Sequence, residues 1–194
     1  MFDKHLDMHA HVTSGVKLCM LYTLNISWIR QYIDQFSCQT LIHAVISSRM
    51  DYSDCLLYGL PRTQIERLQK IRNIAVRVVS KRRKFDHINP VLNYLHWLKF
   101  EQRILYNLIL FTFKAIHWKT SNYLSELVQV YEPKRSLRLK NRQTLLVLPK
   151  YNTTTYGTYA FKIGVPTELN NLPEHLRTIT DFEQFKTRIK YIFV

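Results

Sequence analysis

The chain has 194 residues, with 28 lysines and arginines against 14 aspartates and glutamates, which gives a net charge of +14. Hydrophobic residues make up 46% of it, which is typical of a globular protein and not of a disordered one. Four glycines are present, and no GxGxxG, GxxxxGK[ST] or GxSxG motif occurs, which excludes glycine-rich nucleotide loops and nucleophile elbows. A chain this basic is expected to bind an anionic partner, with nucleic acid ahead of a membrane surface or an acidic substrate.

The cysteines, the first residues and the length of the longest apolar run indicate where in the cell the protein resides. Cys19, Cys38 and Cys55 are odd in number and form no CxxC pair, so neither a disulfide framework nor a structural zinc site is predicted. The first residues lack the apolar core of a secretory signal, and the apolar run at 104–113 is too short to span a bilayer. We therefore expect an intracellular protein, nuclear or cytoplasmic, that is not secreted and has no membrane partner.

Apolar periodicity predicts helices along the first two thirds of the chain. It predicts one helix over residues 9–24 and a second over 38–57. Thr63 and Glu66 have the spacing of a capping box, which predicts that a third helix begins there. Residues 100–118 are apolar almost all round, and such a helix is expected to be buried at the centre of the fold.

The last third of the sequence has a different pattern. Residues 136–139 and 145–148 look like short strands on either side of a basic turn, and a second capping box at 180–183 predicts a final helix. The fold class that follows is mainly α. We expect a helical bundle over residues 1–84, followed over 85–194 by a smaller α+β subdomain with a short β hairpin.

The positive charge is concentrated in one part of the chain. Residues 62–142 hold 18 basic and five acidic side chains, a local excess that indicates a binding surface. On the third predicted helix, basic residues fall on one side, apart from the apolar stripe. The basic run that follows could be a phosphate-binding patch, a nuclear localisation signal or a solvated helix end, and the basic side that leads into it favours phosphate binding. The candidate nucleic-acid-binding residues are Arg67, Lys70, Arg77, Lys81, Arg82, Arg83, Lys84, Lys134, Arg135, Arg138, Lys140 and Arg142.

Several segments, read in order, are similar to those of one known family. Residues 48–61 are similar to its "SRLDYCNSLLYGLP", residues 65–73 to its "IxRLQRVQN", and residues 87–98 to its "HITPVLxxLHWL". The segments at 113–117, 123–127, 156–161 and 166–186 continue the pattern. On these segments the chain resembles the region that follows the polymerase palm in LINE-type (non-LTR, jockey-like) retrotransposon reverse transcriptases.

The resemblance implies a role for each part of the chain. Residues 1–84 would form a thumb-like helical bundle, and residues 85–194 the C-terminal region of the enzyme. In the complete RNA-directed DNA polymerase the thumb grips the template–primer duplex, so the implied partner is RNA or an RNA–DNA duplex, contacted through its phosphates. The predicted function is that of a non-catalytic C-terminal fragment of such an enzyme.

Two alternatives to this function stay open. The chain could be a helical protein-interaction module whose basic face binds an acidic partner. It could also be a decayed transposon remnant without activity, since Lys99 stands where the family has proline and Leu169 where it has tryptophan.

The residues that polymerase chemistry requires are missing from the sequence. Nucleotidyl transfer needs carboxylates that hold two metal ions about 4 Å apart, and the family supplies them from the palm as an Asp-Asp pair that does not occur here. The nearest arrangement is Asp51 and Asp54, which we interpret as solvent-facing acids on a helix. We interpret His5, His9 and His11 as surface histidines. We therefore expect no enzymatic activity, no catalytic or metal-binding residue, no cofactor and no small-molecule substrate.

Overall fold

The computed structural model describes residues 8–52, 54–117, 122–131, 145–150 and 160–193. These residues are mainly helical, which confirms the predicted class. The α-helices are α1 (His9–Ile29), α2 (Gln35–Ile42), α3 (Ser48–Asp51), α4 (Arg62–Ser80), α5 (Asn89–Tyr94), α6 (Phe100–His117), α7 (Asn122–Leu127), α8 (Phe161–Asn170), α9 (Glu174–Arg177) and α10 (Phe182–Phe193).

The chain forms two compact units, one reaching to Ile104 and the other formed by Leu105–Phe193. The boundary predicted from the sequence lies earlier, after residue 84. In the described ranges, no helix has both the length and the apolar character needed to cross a membrane.

The second predicted helix, over residues 38–57, is interrupted. The structure has α2, then a π-helical turn at His43–Ser47, then α3 and a 3-10 turn at Asp54–Leu57. The Ser48 hydroxyl donates to the Ala44 carbonyl, a side-chain bond that competes with regular helical pairing and often bends helices. Tyr52 then adopts an extended conformation, with ψ 114°, and ends α3. The prediction of one continuous helix is therefore wrong, although helical turns make up most of the described part of the segment.

Both predicted capping boxes are wrong in their details. The N-cap of α4 is Pro61, and no side chain caps the helix; Glu66 instead forms an ion pair with Arg62 at 3.0 Å. Proline fits this position because it has no backbone N–H to leave unpaired. At the start of α10 the cap is Asp181, whose Oδ2 accepts from the Gln184 amide at 2.9 Å, and not the preceding threonine. Each helix nevertheless begins within two residues of its predicted start.

The core of the first unit lies between α1 and α4. Near their starts, Arg67 of α4 donates to the hydroxyl of Thr13 on α1, and near their ends Arg30 donates to the carbonyls of Val78 and Val79. The two helices therefore run side by side in the same direction. The apolar side chains buried along them are Val12, Cys19, Ile26, Leu68, Ile71, Ala75, Val76 and Val79.

Helix α6 is buried along a broad face but not all round. Its buried residues include Phe100, Ile104 and Leu108, whereas Glu101 and Lys114 are exposed. The prediction of a helix there is confirmed, with an end at His117. A helix whose sequence is apolar almost throughout can therefore still expose a narrow polar stripe to solvent.

The second unit is held together by aromatic and apolar contacts. The ring of Phe113 stacks on Phe185 of α10, with 4.3 Å between ring centroids. Leu146 forms an isolated antiparallel bridge with Val130, and the Asn170 side chain bonds both to its N–H (2.9 Å) and to its carbonyl (3.0 Å). The described residues contain no strand. The predicted hairpin is not shown, and its first half, residues 136–139, lies outside those ranges.

Asp34→Ala is expected to destabilise α2 in a pH-dependent way. Asp34 accepts hydrogen bonds from Ser37 and from the Phe36 amide, and these hold the pKa of its carboxyl below its usual value. A carboxyl whose pKa is lowered by folding adds stability above its unfolded pKa, and this is lost as the pH falls through the folded value. Urea unfolding at pH 7 should find the variant less stable than the parent, and the difference should close in acid. An equal difference at both pH values would contradict the cap.

Candidate nucleic-acid interface

The candidate residues on α4 do not form one exposed face. Lys70 is exposed, but Arg67 and Arg77 are half-buried. The Arg67 guanidinium donates to Thr13 Oγ1 at 3.1 Å and to Gln64 Oε1 at 2.9 Å, so it serves the packing of α1 on α4. The Nε atom of Arg77 is buried with no hydrogen-bond partner. The predicted face is therefore wrong in this form, because two of its cations are drawn into the first unit.

The exposed charge is gathered where α4 ends. The helix stops at Ser80, and Lys81 has a left-handed backbone with φ 52°, so the following cations project from a turn and not from a helix face. Lys81, Arg82, Arg83 and Lys84 are all exposed; we call these four residues the basic end. Within the described part of the chain, none of them forms an ion pair with an acidic side chain. Cations are favoured at a helix C-terminus, where carbonyls carry partial negative charge.

A buried arginine that directly follows α1 holds the end of α4, just before the basic end. Arg30 donates from Nε to the Val78 carbonyl at 3.0 Å and from Nη2 to the Val79 carbonyl at 2.8 Å. Its Nη1 donates to the Ile33 carbonyl at 2.7 Å, in the turn between α1 and α2. This one guanidinium therefore hydrogen-bonds both to that turn and to the last turn of α4, which ends just before Lys81.

Three exposed aromatic residues that were not predicted from the sequence lie in this turn and on either side of it: Trp28 at the end of α1, Tyr32 between the helices and Phe36 at the start of α2. Trp28 is 73% exposed, Tyr32 81% and Phe36 76%; we call these three residues the aromatic turn. Phe85, which follows the basic end, is 90% exposed, with Lys84 Nζ 5.7 Å from its ring centroid. The regular spacing of four between Trp28, Tyr32 and Phe36 was a signal in the sequence. Nothing in the sequence indicated, however, that Arg30 bonds this segment to the end of α4, just before the basic end.

The second group of candidate residues has no described position. Lys134, Arg135, Arg138, Lys140 and Arg142 lie outside the ranges that the structure describes.

The two acids nearest to a metal-binding pattern are engaged elsewhere. Arg103 donates from Nε and Nη2 to the two carboxylate oxygens of Asp51, and Asp54 is buried in the 3-10 turn. Their interpretation as solvent-facing acids is therefore wrong. Because both Asp51 oxygens accept from a guanidinium, this carboxylate is a poor metal ligand.

Arg72 contributes a charge to the core and not to the surface. It is 2% exposed, its guanidinium lies 5.5 Å from the centre of the Trp97 ring, and its Nε and Nη2 are buried without hydrogen-bond partners. Burial above all, and then the charge of the nearby Arg103, lower the pKa of Arg72 to about 10, while Asp51 opposes the change. The face of the Trp97 ring and the charge of Asp51 favour this buried cation.

The described residues contain no group of three or more His, Cys, Asp or Glu side chains that could hold a metal ion. Burial, reinforced by the charge of Asp54, raises the pKa of Cys55 to about 12, so its thiol is not a nucleophile at neutral pH. A cavity of about 590 Å³ in the first unit is lined by Ser14, Arg49 and Tyr52 among others, with no acidic residue among its described lining.

Comparisons with known proteins place no relative beside this chain. No protein-family model matches it, and no match was found among curated proteins or solved structures.

Proposed function

We propose that this chain is a non-catalytic, nucleic-acid-binding fragment of a LINE-type reverse transcriptase. In this proposal the N-terminal helices act as the thumb, and residues 85–194 act as the C-terminal region, with a short hairpin formed by residues 136–139 and 145–148. The partner is RNA or an RNA–DNA duplex inside the cell. The observation that carries the proposal is the basic end, four adjacent exposed cations that follow α4 where Arg30 bonds to its last carbonyls.

The basic end is suited to contacting phosphates. Its four side chains are in water and, among the described residues, bound to no carboxylate, so they can approach a phosphate without first breaking an ion pair. Each phosphate that a lysine or arginine neutralises releases condensed counterions, and this release supplies sequence-independent affinity. Lys70 extends the exposed charge back along α4. Binding of this kind positions a nucleic acid but does not read its sequence.

Removing three of these cations is expected to weaken binding at least tenfold. The test variant is Lys70→Gln/Lys81→Gln/Lys84→Gln, whose three side chains are exposed, so its melting temperature should match that of the parent. The measurement is fluorescence anisotropy with a labelled RNA hairpin and an RNA–DNA duplex of unrelated sequences. Both ligands should lose affinity alike, because phosphate contacts are independent of sequence.

The matched control removes the same charge from the second unit. Lys162→Gln/Arg188→Gln/Lys190→Gln also replaces three exposed cations and should change affinity less than twofold. Equal losses in the two variants would mean that net charge alone drives binding, which contradicts a site at the basic end. Stronger competition by polyglutamate than by RNA at equal charge would favour the protein-interaction alternative instead.

A further inference from the structure

We propose that the aromatic turn binds unpaired bases, so that the chain holds a nucleic acid where a single strand leaves a duplex. This inference rests on the proposed function, because the phosphate contacts of the basic end bring the nucleic acid to the turn. It adds a ligand, the unpaired base, that phosphate contacts alone do not recognise.

The position of the aromatic turn is fixed by Arg30. This residue lies between Trp28 and Tyr32 in the chain, and its guanidinium is bonded to the last carbonyls of α4, at Val78 and Val79. The basic end begins two residues after Val79. A strand whose phosphates contact the basic end therefore lies next to the segment of α4 to which Arg30 bonds the aromatic turn.

The exposure of the rings indicates a binding surface. Trp28, Tyr32 and Phe36 lie mostly in water, although aromatic side chains gain more than most from burial. Three such rings within one short segment exceed the isolated apolar residue that is normal at a surface, and exposed apolar patches mark sites that a partner covers. Rings beside a basic surface are the combination by which proteins bind single strands, since every base has a face that can stack.

The polar surroundings of the turn favour bases over a lipid surface. Asp34 lies between Tyr32 and Phe36 and is exposed, and its hydrogen bonds with Ser37 and the Phe36 amide hold the pKa of its carboxyl below the usual value. Gln31 and Gln35 beside it are exposed as well. Inserting these rings into a bilayer would carry a carboxylate towards the acyl chains, which is costly. Stacking covers only the ring faces and leaves Asp34 in water.

The experiment compares a blunt RNA–DNA duplex with the same duplex carrying a single-stranded RNA tail of ten nucleotides. The parent should bind the tailed duplex at least tenfold more tightly. In Trp28→Ala/Tyr32→Ala, affinity for the tailed duplex should fall at least tenfold, because stacking on one aromatic contributes substantially per base. Affinity for the blunt duplex should change less than twofold. Tyr123→Ala/Tyr191→Ala, which removes two other exposed rings, should leave both affinities unchanged.

The outcomes separate this inference from the proposed function. If the parent binds the blunt duplex through the basic end but gains nothing from the tail, the inference is overturned and the proposed function stands. The same holds if the Trp28/Tyr32 variant weakens both ligands equally. Binding to neither ligand overturns both. Sedimentation with vesicles of phosphatidylcholine and phosphatidylserine that depends on Trp28 and Tyr32, with an unchanged tail preference, would assign the turn to a membrane.

Discussion

Leu108→Asp is expected to unfold the second compact unit. Leu108 lies in α6, is 2% exposed and belongs to the buried face of that helix. An aspartate there would place a carboxylate where the parent buries an apolar side chain. An uncompensated buried charge costs at least several kcal/mol, against a total stability of about 5–15 kcal/mol for an ordinary domain.

The measurement is thermal and urea unfolding followed by circular dichroism, with Lys114→Asp as control. Lys114 is exposed on the same helix, and its ammonium lies 4.8 Å from the centre of the Phe182 ring, so the control loses one surface contact. We expect the control to stay folded and to melt close to the parent. A Leu108→Asp protein that melts like the control would contradict the burial of α6.

Replacing Arg72 by alanine should lower the stability of the fold, whereas replacing it by methionine should not. Arg72→Ala removes a side chain that fills the core beside Trp97, and a cavity of that kind costs about 2–5 kcal/mol. Arg72→Met keeps most of the volume and removes the buried charge, whose Nε and Nη2 have no hydrogen-bond partners. Replacing a buried charge by an apolar side chain of similar size is often neutral or stabilising. We therefore expect Arg72→Met to be at least as stable as the parent.

The free energy of unfolding in urea at pH 7 measures both variants. Arg72→Ala should lower it clearly, while Arg72→Met should leave it unchanged or raise it by about 1 kcal/mol. A loss in Arg72→Met as large as that in Arg72→Ala would show that the guanidinium itself stabilises the fold, through Trp97 and Asp51. That result would contradict a cation whose pKa burial lowers to about 10.

The helices were predictable from the sequence because burial imposes a period on apolar residues. The stripe of α4, with Leu68, Ile71, Ala75 and Val79, gives that period directly. The exact ends were not predictable, since the N-cap of α4 is Pro61 and not Thr63, and that of α10 is Asp181 and not Thr180. Several neighbouring residues can serve as a cap, and the local sequence does not rank them.

The candidate site was predictable only in part. The exposure of Lys81 and Lys84 follows from their position after the last apolar residue of a helix. The partial burial of Arg67 against α1 does not follow from its position in the sequence, because its partner Thr13 is 54 residues away. The aromatic turn depends in the same way on Arg30 and the Val78 carbonyl, which are 48 residues apart. Contacts of this range are set by tertiary packing and leave no periodic signal in the sequence.

A salt titration of duplex binding tests the central claim most directly. If about five phosphates are neutralised, the logarithm of the parent's affinity for an RNA–DNA duplex should fall against the logarithm of salt concentration with a slope near −4 to −5. Lys70→Gln/Lys81→Gln/Lys84→Gln should flatten this slope by roughly two to three, while the three-charge control in the second unit keeps it. Equal slopes for the parent and the Lys70/Lys81/Lys84 variant would contradict phosphate binding at the basic end.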